Sequence, residues 1–214
     1  MNFAIIAQQL VSGMGSSLMI FVLTLLFSMP LGLLVAFGRM SKIKPLQAVI
    51  KVFIAILRGT PLMLQLLVVN FAPYYLFRIS LPRWYRFAAI IIGFSINYAA
   101  YFAEIYRSGI ESIPKGQYEA ASVLGYNKNQ TFFRIIFPQM VKRVLPPVTN
   151  EVITLVKDTS LAFVLAYEEM FTVAKQIASA RTSIMPLFVA GVFYFIFNAV
   201  VAFAMERIEK KLSY

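Results

Sequence analysis

The first 38 residues of the chain carry no charged side chain, and that decides the solvent in which it folds. A second uncharged run covers residues 59–77. About 20 apolar residues cross the hydrocarbon core of a bilayer as a helix, so both runs are long enough. Strands of a membrane barrel would alternate apolar and polar residues over about ten positions, and nothing here alternates. The first run lacks a basic start and exceeds the 7–15-residue apolar core of a cleavable signal peptide, so it reads as a retained helix. Of 214 residues, 60% are hydrophobic and 14% charged. Ordinary soluble domains hold about 45–50% and about 25%, so a water-soluble fold of this length could not hide the surplus.

Five apolar segments are expected to span, at about 11–37, 46–77, 87–105, 144–166 and 186–205, forming one membrane domain over 1–214. The net charge of +11 fits loops facing the cytoplasm better than nucleic-acid binding. With the N-terminus outside, the inner stretches hold Arg39, Lys42, Lys44, Lys51, Arg107, Lys115, Lys128, Arg134, Lys142, Arg143, Arg207, Lys210 and Lys211. The outer stretches hold only Arg78, Arg83, Arg86, Lys175 and Arg181. The positive-inside rule then predicts an external N-terminus and a cytoplasmic C-terminus. Cysteine and histidine are both absent, which removes disulfides, thiolate chemistry, the commonest metal ligand and the commonest general base. A membrane-embedded enzyme is therefore disfavoured.

The long cytoplasmic stretch 107–143 has its own pattern. Residues 117–124 are a run of helix formers, and Gly125 is placed to end them in a left-handed conformation. Pro114 and Gly116 break the preceding helix, so a short segment at about 114–126 can lie across the membrane surface. Such a helix has little core of its own and calls for a partner.

Glu119-Ala120-Ala121, three residues, Gly125, nine residues, then Ile135-Ile136-Phe137-Pro138 resembles the EAA loop of bacterial ABC import permeases, with phenylalanine in place of the usual leucine before the proline. Arg58-Gly59-Thr60-Pro61 with Gln65, Asn97, Glu104, Asn150-Glu151 and 157–161 (Lys-Asp-Thr-Ser-Leu) are similar to the polar amino-acid branch. The resemblance implies an all-α integral membrane protein with a five-span core of the type I ABC importer permease kind and a cytoplasmic coupling helix. It implies inward transport of amino acids across the bacterial cytoplasmic (inner) membrane. Its partners would be ABC ATPase subunits, a second permease copy or a homologue, and an extracellular or periplasmic solute-binding protein. Glu119, Ala120, Ala121 and Gly125 would then seat the ATPase. ATP and Mg would belong to that partner, since this chain has no GxxxxGK[ST] phosphate loop and needs no cofactor of its own.

Charges at membrane depth cost about 2.5–3.5 kcal/mol each on insertion scales, so they are functional candidates. Glu151 and Asp158, two helical turns apart, would share a face with Thr154 and Leu155. Lys157 adjoins Asp158 in sequence but does not face it on a helix. Glu104 can meet Arg107 one turn later. Amino acids present a carboxylate and an ammonium, which Arg58, Asn97, Glu151 and Asp158 could receive. The alternatives are that these residues tie helices together, or that Arg58 and Lys157 snorkel. Gly59 and Pro61 predict a broken helix whose freed backbone groups can line a cavity. A proton- or ion-coupled secondary amino-acid transporter is the rival reading, with Glu104, Glu151 and Asp158 as ion sites, but it leaves the EAA spacing unexplained.

Overall fold

The computed structural model describes residues 3–212, and all its regular elements are helical. Helix α1 covers Phe3–Arg39, α2 Lys44–Gly59, α3 Leu62–Phe77 and α4 Tyr85–Glu111. The short α5 (Lys115–Val123) and α6 (Lys128–Thr131) follow, and a π-helical turn, Phe132–Ile136, leads into α7 (Phe137–Asp158). A 3₁₀ stretch, Thr159–Leu165, precedes α8 (Met170–Arg181) and α9 (Met185–Leu212). Helices α1, α4 and α9 are long and apolar enough to cross a bilayer, and α2 with α3 are so only as a pair, joined across a 111° bend as a broken span or a re-entrant loop. Helix α7 is less apolar, but its 22 residues rise about 33 Å at 1.5 Å per residue, the length of a crossing.

The core is built around α4. Phe94 and Phe102 are fully buried, packed with Leu66 of α3, Leu155 and Val156 of α7 and Phe197 of α9. Helix α1 meets this centre in a way peculiar to membranes. Its buried face runs through Gly13, Ser17, Ile20, Thr24, Ser28, Gly32 and Ala36, while Leu18, Val22, Leu26 and Leu34 are exposed. Lipid is as apolar as leucine, so burial rewards close approach instead, and small residues face the partner helix. At Gly32 an added Cβ would lie 2.7 Å from Phe102 Cβ and 3.1 Å from the Ala99 carbonyl of α4.

Several boundaries differ from the apolar segments for physical reasons. Helix α1 begins before residue 11, because Gln8 and Gln9 end the hydropathy without interrupting the backbone hydrogen bonds. The 46–77 segment is two helices. Thr60 and Pro61 are extended (φ −122°, ψ 148° and φ −62°, ψ 130°), as expected of a proline and the residue before it. The 144–166 segment begins earlier, at Phe137, and becomes 3₁₀ after Asp158. Helix α8 has no counterpart in the hydropathy, since it is short and half polar.

Glu169 explains how α8 is held. Its Oε1 accepts from the Thr172 amide (2.6 Å) and hydroxyl (2.9 Å), and its Oε2 from the Phe171 amide (2.8 Å). These bonds cap α8. Oε2 also accepts from Tyr194 Oη of α9 (3.0 Å) and Ser17 Oγ of α1 (3.4 Å). The three helices thus meet on one fully buried carboxylate. Gly13 lets the α8 start approach, since a Cβ there would lie 2.8 Å from Met170 Cα and 3.0 Å from the Glu169 carbonyl carbon.

Gly13→Ala must push backbone against backbone, and overpacking of this kind costs about 1–3 kcal/mol. The purified permease in detergent is expected to melt several degrees lower. Gly15→Ala, with nothing within 4 Å of the new methyl, serves as control, and equal melting of both variants would contradict this account of the α1–α8 contact.

Candidate functional site

The break between α2 and α3 faces α4 and α7 across two adjoining cavities. The smaller, about 270 Å³, is lined by Thr60, Leu62, Asn97, Tyr98, Tyr101, Glu151, Thr154 and Asp158. The larger, about 600 Å³, includes Arg58, Tyr101, Glu104, Ser112, Arg143 and Glu151. Tyr101 and Glu151 line both. On α7 the lining residues are Val144 and the series Arg143, Pro147, Glu151, Thr154 and Asp158, the series spaced four, four, three and four apart. That is the repeat of one helical face. Leu155, expected beside them, turns into the core and is fully buried.

The broken helix leaves carbonyls without intrahelical partners, and the structure supplies them. Thr60 Oγ1 donates to the Ile56 carbonyl (2.8 Å). Gln65 Nε2 lies within bonding distance of the Leu57 carbonyl (2.9 Å), the Thr60 carbonyl (3.1 Å) and Thr60 Oγ1 (2.9 Å). Asn97 Nδ2, from α4, donates to the Leu57 carbonyl (3.1 Å) and to Gln65 Oε1 (3.0 Å). Asn97 is buried, and its amide hydrogens are committed to holding the break.

The remaining site candidates are differently placed. Asp158 Oδ2 accepts from Tyr98 Oη at 2.8 Å. The Arg58 guanidinium stands 5.2 Å from the Tyr101 ring centroid, within cation–π range. The Glu151 carboxylate makes no hydrogen bond, and no ion pair within 4 Å, with another described residue, and the nearest charges acting on it are those of Arg58 and Asp158. Lys157 is exposed and makes no ion pair within 4 Å with Asp158, although its charge acts on that carboxylate. Glu104 is structural. It pairs with Arg107 (2.7 Å) and with Arg39 of α1 (3.6 Å), while Arg107 also holds Glu111 (2.5 Å). Tyr98 and Tyr101 escaped the sequence reading, because aromatic residues are so abundant in this chain that two more carried no signal.

The EAA segment lies at the far end of α4. Helix α5 stops where the Gly125 amide donates to the Ser122 carbonyl and the Tyr126 amide to the Ala121 carbonyl, both at 3.0 Å. Gly125 has φ +77°, so this is a Schellman ending. Ala121 is buried, whereas Glu119 and Ala120 are exposed. Val123 and Leu124, at the helix end, are 88% and 70% exposed, an apolar tip that the chain itself does not cover.

Comparison with known proteins agrees with this arrangement. The profile of the binding-protein-dependent transport system inner membrane components matches residues 28–214. The chain is 37% identical to the L-cystine transport system permease protein of Bacillus subtilis (strain 168), over 90% of this chain and 81% of that protein. It is 30% identical to the arginine transport system permease protein of the same organism, over 95% and 92%. The crystal structure of an amino acid ABC transporter with histidines superposes with a TM-score of 0.86 at 29% identity, covering 99% of both chains. An inward-facing structure of the MetNI methionine ABC transporter shares the fold, with a TM-score of 0.80 at 18% identity over the full length of both chains.

Gln65→Leu removes the side-chain donor of the Thr60 carbonyl and one of the two donors to the Leu57 carbonyl, and it deprives Asn97 of an acceptor. A loss of about 1–3 kcal/mol is expected for buried groups left unsatisfied, read as a lower melting temperature of the purified permease. Val68→Ala, at an exposed position on the same helix, is the comparison. A Gln65 variant no less stable than this control would show that other groups hold the break.

Proposed function

The chain belongs to the binding-protein-dependent transport system inner membrane components, and from that membership we propose that it forms the amino-acid path of an importer driven by separate ATPase subunits. It is a multi-pass permease component with the fold of type I ABC importer permeases. The observation that carries the proposal is the face of α7, which lines the cavities from Arg143 near the coupling segment to Asp158 beside the helix break.

In this reading the substrate ammonium lies against Glu151 and Asp158, and its carboxylate against Arg58. Asn97 serves the site through the wall it holds in place. Thr60 and Tyr101 complete a lining that combines hydroxyls with an aromatic face. Helix α5 seats the ATPase through Glu119, Ala120 and the exposed end after Ser122, while Ala121, expected beside them, is buried against the chain itself, and Gly125 returns the chain toward α7. ATP and Mg are bound by that partner. A solute-binding protein delivers the amino acid from outside, and a second copy or a homologue completes the pathway. A gradient-driven carrier would leave the apolar tip at Val123 and Leu124 without a purpose.

Glu151→Gln keeps size and hydrogen bonding while removing charge. In a reconstituted complex whose assembly has been checked, apparent substrate affinity should weaken by about 1.5–3 kcal/mol, the range for hydrogen bonds to charged groups. Asp158→Asn is expected to act in the same direction. Normal affinity in both assembled variants would remove the carboxylates from the binding site, and ATP-independent uptake would remove the importer reading itself.

The same reading puts the N-terminus outside and α5 in the cytoplasm. With no native cysteine to interfere, Ser80→Cys should react with an impermeant thiol reagent added to intact cells, and Ala120→Cys should not. The reverse pattern would invert the topology.

A further inference from the structure

Helix α7 is fastened at its inner end to the last turn of α4, close to where α5 departs. Gly109 of α4 allows the approach, since an added Cβ would overlap Val144 Cγ1 and lie 3.2 Å from Met140 Cγ. Arg143 Nη1 donates to the backbone carbonyl of Ser112 and to Ser112 Oγ, the latter at 2.9 Å. Ser112 is the residue that ends α4, and its own hydroxyl donates to the Gly109 carbonyl (2.7 Å). A guanidinium suits this place, because the C-terminal carbonyls of a helix carry partial negative charge. Only Ile113 and Pro114 separate Ser112 from α5. One turn before Arg143, Gln139 Nε2 donates to Gln117 Oε1 of α5 (3.2 Å).

Glu151 stands on the same α7 face, eight residues beyond Arg143, or about 12 Å at 1.5 Å per residue. Both residues line the larger cavity. Helix α7 therefore joins the hanging point of α5 to the Glu151 carboxylate, and although Pro146 and Pro147 lie between them and remove two backbone hydrogen bonds, the helix is continuous from Phe137 to Asp158.

We propose that Arg143 is a positioning residue that clasps the end of α4 to α7, so that displacement of α5 is delivered along α7 to the cavity wall carrying Glu151. This rests on the reading of α5 as the ATPase seat. The clasp explains why a short and mostly exposed helix can move something deep in the bundle. Without it, α5 would hold α7 through the neutral Gln139–Gln117 hydrogen bond and its packing against the π-helical turn, with no charged tie to the end of α4. Arg143 also faces the cavity, so a purely electrostatic role toward the passing solute makes a rival prediction.

Arg143→Cys removes the clasp and the charge together. In the assembled, reconstituted complex, substrate-stimulated ATP hydrolysis and transport should both fall about tenfold, as for the loss of one hydrogen bond to a charged group. Basal hydrolysis, which belongs to the ATPase partner, should stay unchanged. Ser112→Cys combined with Arg143→Cys, bridged by a bifunctional maleimide about as long as an arginine side chain, should recover stimulation although the charge is still missing. Ser112→Cys alone keeps the backbone carbonyl contact and should behave almost as wild type.

Full stimulation in Arg143→Cys, or a bridged double variant no better than the unbridged one, would overturn the clasp. Recovery in Arg143→Lys without recovery on bridging would overturn it in favour of the charge. A wild-type complex lacking substrate-stimulated hydrolysis would instead refute the importer reading, and the clasp with it.

Discussion

A helix broken within a bilayer strands carbonyl oxygens that lipid cannot hydrate. Here the strands of backbone between α2 and α3 are served by two side-chain amides, Gln65 from the far side of the break and Asn97 from α4. Everything about the cavity depends on that service. The break moves Arg58 and Thr60 away from a continuous helical surface and opens the space that Glu151 and Asp158 face. Because Asn97 belongs to the most buried helix of the bundle, the break is referenced to the core rather than left to find its own geometry.

Polar residues in this chain accordingly divide by what they hold. Gln65 and Asn97 hold backbone, Glu169 holds three helices together, and Glu104 joins the C-terminal ends of α1 and α4 through Arg39 and Arg107. Each of these is saturated by partners within the protein. Glu151 is not, and Asp158 has a single hydrogen bond from Tyr98. Intramembrane charge is costly, so a carboxylate without a partner stands out from carboxylates that have several. That contrast, rather than charge alone, separates candidate ligand groups from struts.

Much of this was legible in the residues. Apolar segments located α1, α4 and α9, Gly59 and Pro61 announced the broken helix, and Gly125 marked a left-handed helix end that its φ of +77° displays. The Glu104–Arg107 pair followed from helical spacing. Other features left no readable trace. Helix α8 is too short and too polar for a hydropathy signal, and its cap, Glu169, owes its meaning to Ser17 and Tyr194, more than twenty residues away on either side. Asn97 looked like a ligand because side-chain type cannot tell an amide aimed at a solute from one aimed at a carbonyl. The π-helical turn before α7 depends on packing that no local pattern encodes.

The small-residue face of α1 bears on how the bundle comes into being. Chains are inserted in order of synthesis, and α1 reaches the lipid well before α4, its principal partner, has been made. During that interval Ser17, Thr24 and Ser28 face hydrocarbon, and their hydroxyls have only the carbonyls of their own helix to bond. The long aliphatic residues opposite are what keep α1 in the bilayer meanwhile. Its two faces therefore answer to successive stages of biogenesis: one secures residence in the membrane, and the other waits for docking.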